Sequence, residues 1–169
     1  MPLQLYKIAT TEVGSAGASS ITFSSIPQGY KDLKLVMSLR GANNNTFNYV
    51  SIAFNGVTTN QSMRSIFGGD TSSGQSGTQT NFQFISMGSN TTSNTFGNHE
   101  LYIPDYTGSN NKTATLDVTN ENNSTASGAV YLTLNALLWS STAAITSLSL
   151  TGVTGSFVQY TSATLYGIL

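Results

Sequence analysis

Apolar side chains recur at every second position along most of this chain. The segment Asp32–Arg40 places four apolar side chains on one face (Leu33, Leu35, Met37 and Leu39) and mostly polar ones on the other. A period of two is typical of a half-buried β-strand. Including this segment, the pattern predicts about ten strands, at Leu3–Ile8, Ser20–Ile26, Asp32–Arg40, Val50–Phe54, Phe82–Phe84, Leu101–Ile103, Ala114–Val118, Val130–Leu138, Thr146–Leu150 and Phe157–Leu169.

The segment Val130–Leu138 has the longest alternating pattern. Its even-numbered positions are all apolar, and Tyr131, Thr133 and Asn135 stand on the other face. Since the more apolar face of a strand normally turns toward the core, the even-numbered positions are predicted to point inward.

Short turn clusters separate the predicted strands, and no segment has the spacing of a long amphipathic helix. Asn55-Gly56 is a strong signal for a β-hairpin turn. Alternating strands joined by such turns predict an all-β fold, a single antiparallel β-sandwich. Ten strands in one domain favour a jelly roll over an immunoglobulin-like sandwich, which typically has about seven.

Two stretches, Gly68–Asn81 and Gly88–Asn98, consist almost entirely of Gly, Ser, Thr, Asn and Gln. We predict that both are long polar loops. Loops of this length are often functional, so they either contact a neighbouring subunit or ligand or are simply exposed connections.

The composition points to a structural protein and not to an enzyme. Only 8% of the 169 residues are charged, against about 25% in typical soluble domains. Ser, Thr, Asn and Gly together supply 80 residues, and there is one His and no Cys. The length predicts one domain spanning 1–169, with residues 1–11 as a contact strand or arm.

The charge distribution argues against nucleic acid and membranes as partners. The formal net charge is −1 and the six basic residues are scattered from Lys7 to Lys112, whereas phosphate binding needs clustered Lys and Arg. No apolar segment approaches the ~18 residues of a transmembrane helix.

No residue pattern indicates a catalytic site, a cofactor or a metal. His99 and Asp105 flank one predicted strand, but six residues of extended chain separate them by about 20 Å. The segment Asp117–Glu121 offers oxygen ligands without the spacing of an EF-hand, so at most a weak Ca²⁺ site is expected there. A hydrogen-bonded His99 at a subunit contact is the preferred interpretation.

Several segments, taken in order, together resemble small virion structural proteins of tailed bacteriophages. This resemblance implies an all-β, oligomeric component of a virus particle and leaves its location on head or tail open. The residues that carry the resemblance are Ser20–Tyr30 with Asp32-Leu33, Phe54–Gly56, His99 with Ile103–Tyr106, Trp139 with Ala144–Thr146, and Leu165–Ile168.

The preferred hypothesis is a capsid decoration or cement protein, synthesised in the host cytoplasm and located on the outer surface of the virion. Its expected partners are the major capsid protein and further copies of itself, as a homotrimer. The candidate contact residues are Pro2, Leu3, Leu5, Tyr6, Phe96 and His99.

The alternative is a tail-fibre or receptor-binding module that recognises host surface glycan. Sugar-binding sites pair exposed aromatic rings with amides and carboxylates, whereas most aromatic residues of a sandwich belong to its core. The candidate platforms are Tyr49, Tyr102, Tyr106, Tyr160 and Trp139.

Overall fold

Twelve β-strands form two sheets in the part of the chain that the computed structural model describes, residues 4–69, 72–123 and 131–169. The described residues contain no α-helix, and every pair of neighbouring strands is antiparallel, so the prediction of an all-β antiparallel sandwich is confirmed. The strands are β1 (Leu5–Glu12), β2 (Ser20–Phe23), β3 (Asp32–Leu39), β4 (Phe47–Phe54), β5 (Gln61–Gly69), β6 (Ser72–Gln79), β7 (Gln83–Met87), β8 (Gly97–Ile103), β9 (Lys112–Asn120), β10 (Tyr131–Trp139), β11 (Leu148–Gly152) and β12 (Ser162–Ile168).

The strand order is that of an enlarged jelly roll. One sheet has four strands in the order β2-β11-β4-β7, and the other has eight in the order β1-β12-β3-β8-β9-β10-β5-β6. The chain crosses between the sheets at every connection except those from β5 to β6, β8 to β9 and β9 to β10, as expected for the interlocked Greek keys of a jelly roll. The consecutive strands β8, β9 and β10 occupy the place of one strand, and β1 and β12 extend the same sheet at its other side.

The core lies between the sheets and follows the predicted alternation closely. Leu33, Leu35, Met37 and Leu39 of β3 are all buried. On β9, Ala114, Leu116 and Val118 are buried while the intervening residues are exposed. The four-stranded sheet contributes its share through the buried side chains Ile21, Phe23, Val50, Ile52, Phe54, Phe84, Leu148 and Leu150.

Strand β10 has the opposite orientation to the one predicted. Leu132 and Leu134 face solvent, while Asn135, Leu137 and Trp139 are buried. The reason is its register with β9, in which Leu137 lies opposite Ala114 and Asn135 opposite Leu116. Directly opposed residues share a face, so the clear alternation of β9 fixes the orientation of β10. Trp139 then packs its ring 5.8 Å from that of Phe54.

Alanine substitutions on the two faces of β10 are expected to differ strongly. Leu137→Ala removes a buried side chain and should lower the free energy of unfolding by about 2–4 kcal/mol. Leu134→Ala removes an exposed side chain of the same type from the same strand, so less than about 1 kcal/mol is expected. Urea denaturation of both variants measures the difference. Equal losses would place Leu134 in the core, as the sequence pattern alone predicts.

The two polar stretches differ in secondary structure. Gly68–Asn81 is mostly strand, since the end of β5 and all of β6 lie within it, so the prediction of a loop is wrong there. In Gly88–Asn98 the residues before β8 form the predicted loop. Asn55-Gly56 adopts positive φ values of 53° and 72°, but the strands on either side of it belong to different sheets, so the turn is present and the hairpin is not.

Candidate functional site

An apolar patch lies on the solvent face of the eight-stranded sheet. We call the five side chains Ile66, Leu132, Leu134, Ala136 and Leu138 the outer apolar patch. Ile66 is 63% exposed, Leu134 58% and Leu132 55%. Leu134 of β10 lies directly opposite Ile66 of β5, so their side chains are neighbours about 5 Å apart. Leu132, Ala136 and Leu138 extend the patch along β10 in both directions.

Few charges border the outer apolar patch. Arg64 lies opposite Ala136 on the β5 side, and its Nη1 donates to Thr78 Oγ1 at 2.9 Å. Asp117 lies opposite Leu134 on the β9 side, where its neighbours along the exposed face are Thr115 and Thr119. A groove of about 430 Å³ lies beside Leu134 and Ile66. Among the described residues, the patch is therefore an uncharged surface with Arg64 on one side and Asp117 on the other.

Such a surface is suited to association with another macromolecule. Burying exposed Leu and Ile side chains removes apolar area from water, worth about 25 cal/mol for each Å². Contiguous apolar patches on soluble proteins are commonly interaction sites, whereas single exposed apolar residues are ordinary. The sequence contained a signal for this patch. Strand β10 has apolar residues on both of its faces, and only one face of a sheet can pack against the core of a two-layer sandwich. The apolar residues on its other face must therefore be exposed.

The structure describes two of the four predicted N-terminal contact residues. Leu5 and Tyr6 are exposed on β1, an edge strand that pairs with β12. The ring of Tyr6 lies 5.8 Å from that of Tyr30. Residues 5–11 are thus an integral strand and not a free arm, while Pro2 and Leu3 lie outside the described residues.

The loop before β8 is organised by a buried arginine that sequence reasoning missed. Arg40 is 7% exposed, and its Nη1 donates to Thr95 O at 2.7 Å and to Thr91 Oγ1 and Thr92 O at 3.0 Å each. Its Nη2 donates to Ser89 O at 3.1 Å. Burial lowers the pKa of the guanidinium, and the loop carbonyls supply its hydrogen-bond acceptors. Phe96, a predicted contact residue, is the last residue of this loop and is half-buried.

His99 lies inside the sandwich, which corrects its assignment to a subunit contact. Only 1% of it is exposed, and its ring lies 5.2 Å from that of Phe84. Its Nε2 is 3.2 Å from Ile85 O, which also accepts a hydrogen bond from Asn120 Nδ2 at 2.9 Å. Burial lowers the pKa of His99 to about 4, so the ring is neutral at pH 7. His99 shares its parity with the buried Leu101 and Ile103, a signal that was available in the sequence.

The remaining candidate residues are dispersed over the molecule. His99 is buried while Asp105 is exposed beyond the end of β8, so the two do not form a pair. Within the described ranges no group of three His, Cys, Asp or Glu side chains could hold a metal ion. The same ranges contain no helix long and apolar enough to cross a membrane.

The five aromatic candidates for sugar stacking differ in how far their side chains are buried. Tyr106 and Trp139 belong to the core, which excludes them as platforms in the folded chain. Tyr102 is half-buried, and its hydroxyl donates to Asp32 Oδ2 at 2.7 Å. Tyr160 is exposed, and Tyr49 lines a cleft at one edge of the four-stranded sheet.

Comparisons with known proteins leave the family open. No family model matches the sequence, and no curated protein matches it. Among solved structures, galectin LEC-6 from Caenorhabditis elegans is similar over 95% of both chains, with 9% sequence identity and a TM-score of 0.37. A likeness at this level supports no conclusion about the function of the present chain.

Proposed function

We propose that this chain is a non-catalytic structural protein of a bacteriophage virion, a decoration or cement protein that attaches to the outside of the head through the outer apolar patch. The exposure of Leu132, Leu134 and Ile66 on one continuous face is the observation that carries this proposal. The resemblance of several segments to phage virion proteins supports the same assignment. The major capsid protein is the proposed partner, and a homotrimer is the proposed state of the attached protein.

A binding experiment with particles tests the role of the patch. Heads that lack this protein are mixed with wild-type or variant chain and sedimented, and the bound fraction is measured. Leu134→Glu and Ile66→Glu each place a carboxylate in the proposed contact, where an unpaired buried charge is costly, so at least a tenfold loss of affinity is expected. Thr22→Glu is the matched control, because Thr22 is exposed on the four-stranded sheet and should bind like wild type.

Attachment should also resist salt. The described residues contain one salt bridge, between Lys34 Nζ and Glu100 Oε1 at 2.7 Å. These two residues lie on β3 and β8, so the salt bridge is not part of the patch on β5 and β10. An apolar contact is not screened by ions, whereas a contact made of surface ion pairs is weakened at about 1 M NaCl, where the Debye length falls to about 3 Å. We expect the bound fraction to remain unchanged in about 1 M NaCl. Release by salt alone would contradict attachment through the patch.

The same binding assay, repeated with intact host cells in place of heads, tests the tail-fibre alternative. If the chain fails to bind heads but binds intact host cells, the receptor-binding assignment replaces the decoration assignment. If Leu134→Glu binds heads as tightly as wild type, the chain attaches through another surface.

A further inference from the structure

A second candidate site lies on the opposite face of the strands that carry the outer apolar patch. The inward-facing residues of β10, β5 and β6 meet strands β4 and β7 around a cleft of about 190 Å³. The two sites use side chains of opposite parity on β5 and β10. They can therefore be tested, and can fail, independently, and this inference goes beyond the proposed virion function.

The described residues that line the cleft combine aromatic rings with side-chain amides. Its rings are Tyr49, Phe67, Phe84 and Tyr131. Phe47 lies beside two of them, with ring centroids 5.2 Å from Tyr49 and 6.1 Å from Tyr131. The amides of the cleft are Gln79, Gln83 and Asn135. Among the described residues that line it there is no acid, lysine, arginine or histidine.

One polar atom in the lining lacks a partner. Gln79 Oε1 is buried, and in the described part of the chain it has no hydrogen-bond partner. A buried acceptor without a hydrogen bond is unfavourable, so a ligand that donates to it gains an interaction that the chain alone does not supply. By contrast, Asn135 Nδ2 is already occupied, donating to Leu116 O at 2.7 Å and to Thr133 Oγ1 at 2.9 Å.

We infer that this cleft binds one ring of a neutral saccharide. Ligand sites typically combine an apolar lining with a few polar groups that fix the orientation of the ligand. A pyranose has an apolar C–H face that packs on an aromatic ring and a rim of hydroxyl groups that donate to amide oxygens such as Gln79 Oε1. The absence of charged groups from the described lining disfavours phosphorylated and acidic ligands, since burying their charges without partners is costly.

An NMR titration of the full chain tests the inference. The probes are the methyl glycosides of glucose, galactose and N-acetylglucosamine, each added to about 50 mM to the ¹⁵N-labelled protein. We expect at least one probe to bind with a millimolar Kd and to shift amide signals of β5, β6 and β10 around Phe67, Gly77 and Thr133. Glucose 6-phosphate serves as the charged comparison and should bind at least tenfold more weakly than the best neutral probe.

Two variants separate the cleft from the rest of the surface. Gln79→Leu keeps the size of the side chain and removes the free acceptor, so it should weaken binding of the best probe about tenfold while leaving the rest of the spectrum unchanged. Tyr160→Ala, which removes an exposed aromatic ring that is not part of the cleft lining, should bind like wild type. The inference is overturned if no neutral probe shifts these signals, if the shifts map to Tyr160, or if Gln79→Leu binds as tightly as wild type. Loss of head attachment in Leu134→Glu has no bearing on any of these outcomes.

Discussion

Acidification from pH 7 to pH 4 is expected to reduce the free energy of unfolding by about 3 kcal/mol through His99 alone. Burial of its ring lowers the pKa to about 4 in the folded chain, against an ordinary value of 6.5. Each pKa unit corresponds to about 1.36 kcal/mol, so the difference of two to three units gives the expected loss. The strands around the ring offer Phe84, Ile85 and Asn120, none of which can neutralise an imidazolium.

The direction follows from which state binds the proton. Between pH 6.5 and pH 4 the unfolded chain is protonated at His99 while the folded chain is not, so stability falls as the pH falls through this window. The contribution is fully present above pH 6.5 and changes no further below about pH 4.

The single histidine of the chain makes this measurement direct. Urea denaturation at several pH values should show a loss in wild type that is about 3 kcal/mol greater than in His99→Gln, because the carboxylates are common to both proteins. The imidazole proton signals should titrate near pH 4 in the folded protein. A midpoint near 6.5, or identical pH profiles of the two proteins, would show that the ring is accessible to water.

Arg40→Met is expected to lower the free energy of unfolding by about 2–4 kcal/mol. The guanidinium donates to acceptors on four residues of the loop between β7 and β8, and each hydrogen bond from a charged group is worth about 1.5–3 kcal/mol, partly replaced by water in the variant. Methionine fills the space of the side chain stem but donates to none of these oxygens. Amide hydrogen exchange in residues 88–96 should accelerate more than exchange in β3.

Two further variants separate the effect of the Arg40 hydrogen bonds from the effect of losing the positive charge. Arg40→Lys retains the positive charge without the planar fork, so it should recover less than half of the lost stability. Arg64→Met removes an exposed arginine with one recorded side-chain bond and should cost less than about 0.5 kcal/mol. If Arg40→Met were as stable as Arg64→Met, the hydrogen bonds to the loop would be energetically unimportant.

Alternation alone predicted the sandwich because most strands have one clearly apolar face. β3 and β9 are examples, and their orientation could be predicted position by position. β6 could not be predicted, because its sequence of Ser, Gly, Gln and Thr has no apolar alternation. Its strand conformation comes from pairing with β5, in which Met63 lies opposite Gln79. Tertiary pairing therefore overrides a local sequence that is typical of loops.

The candidate sites show why one strand can mislead. β10 has apolar residues at both parities, and counting them favours the even positions. The orientation is decided by β9 and by the burial of Trp139, and this inversion creates the outer apolar patch. The burial of His99 was predictable from its parity with Leu101. The placement of Arg40 beneath a loop fifty residues away depends on contacts that the sequence does not display.

Cryo-electron microscopy of the virus particle that carries this protein, at a resolution that shows side chains, tests the central proposal most directly. We expect copies distributed over the outer surface of the head, with Leu132, Leu134 and Ile66 buried against the shell. Copies restricted to the tail tip, or head-bound copies whose outer apolar patch faces solvent, would contradict it.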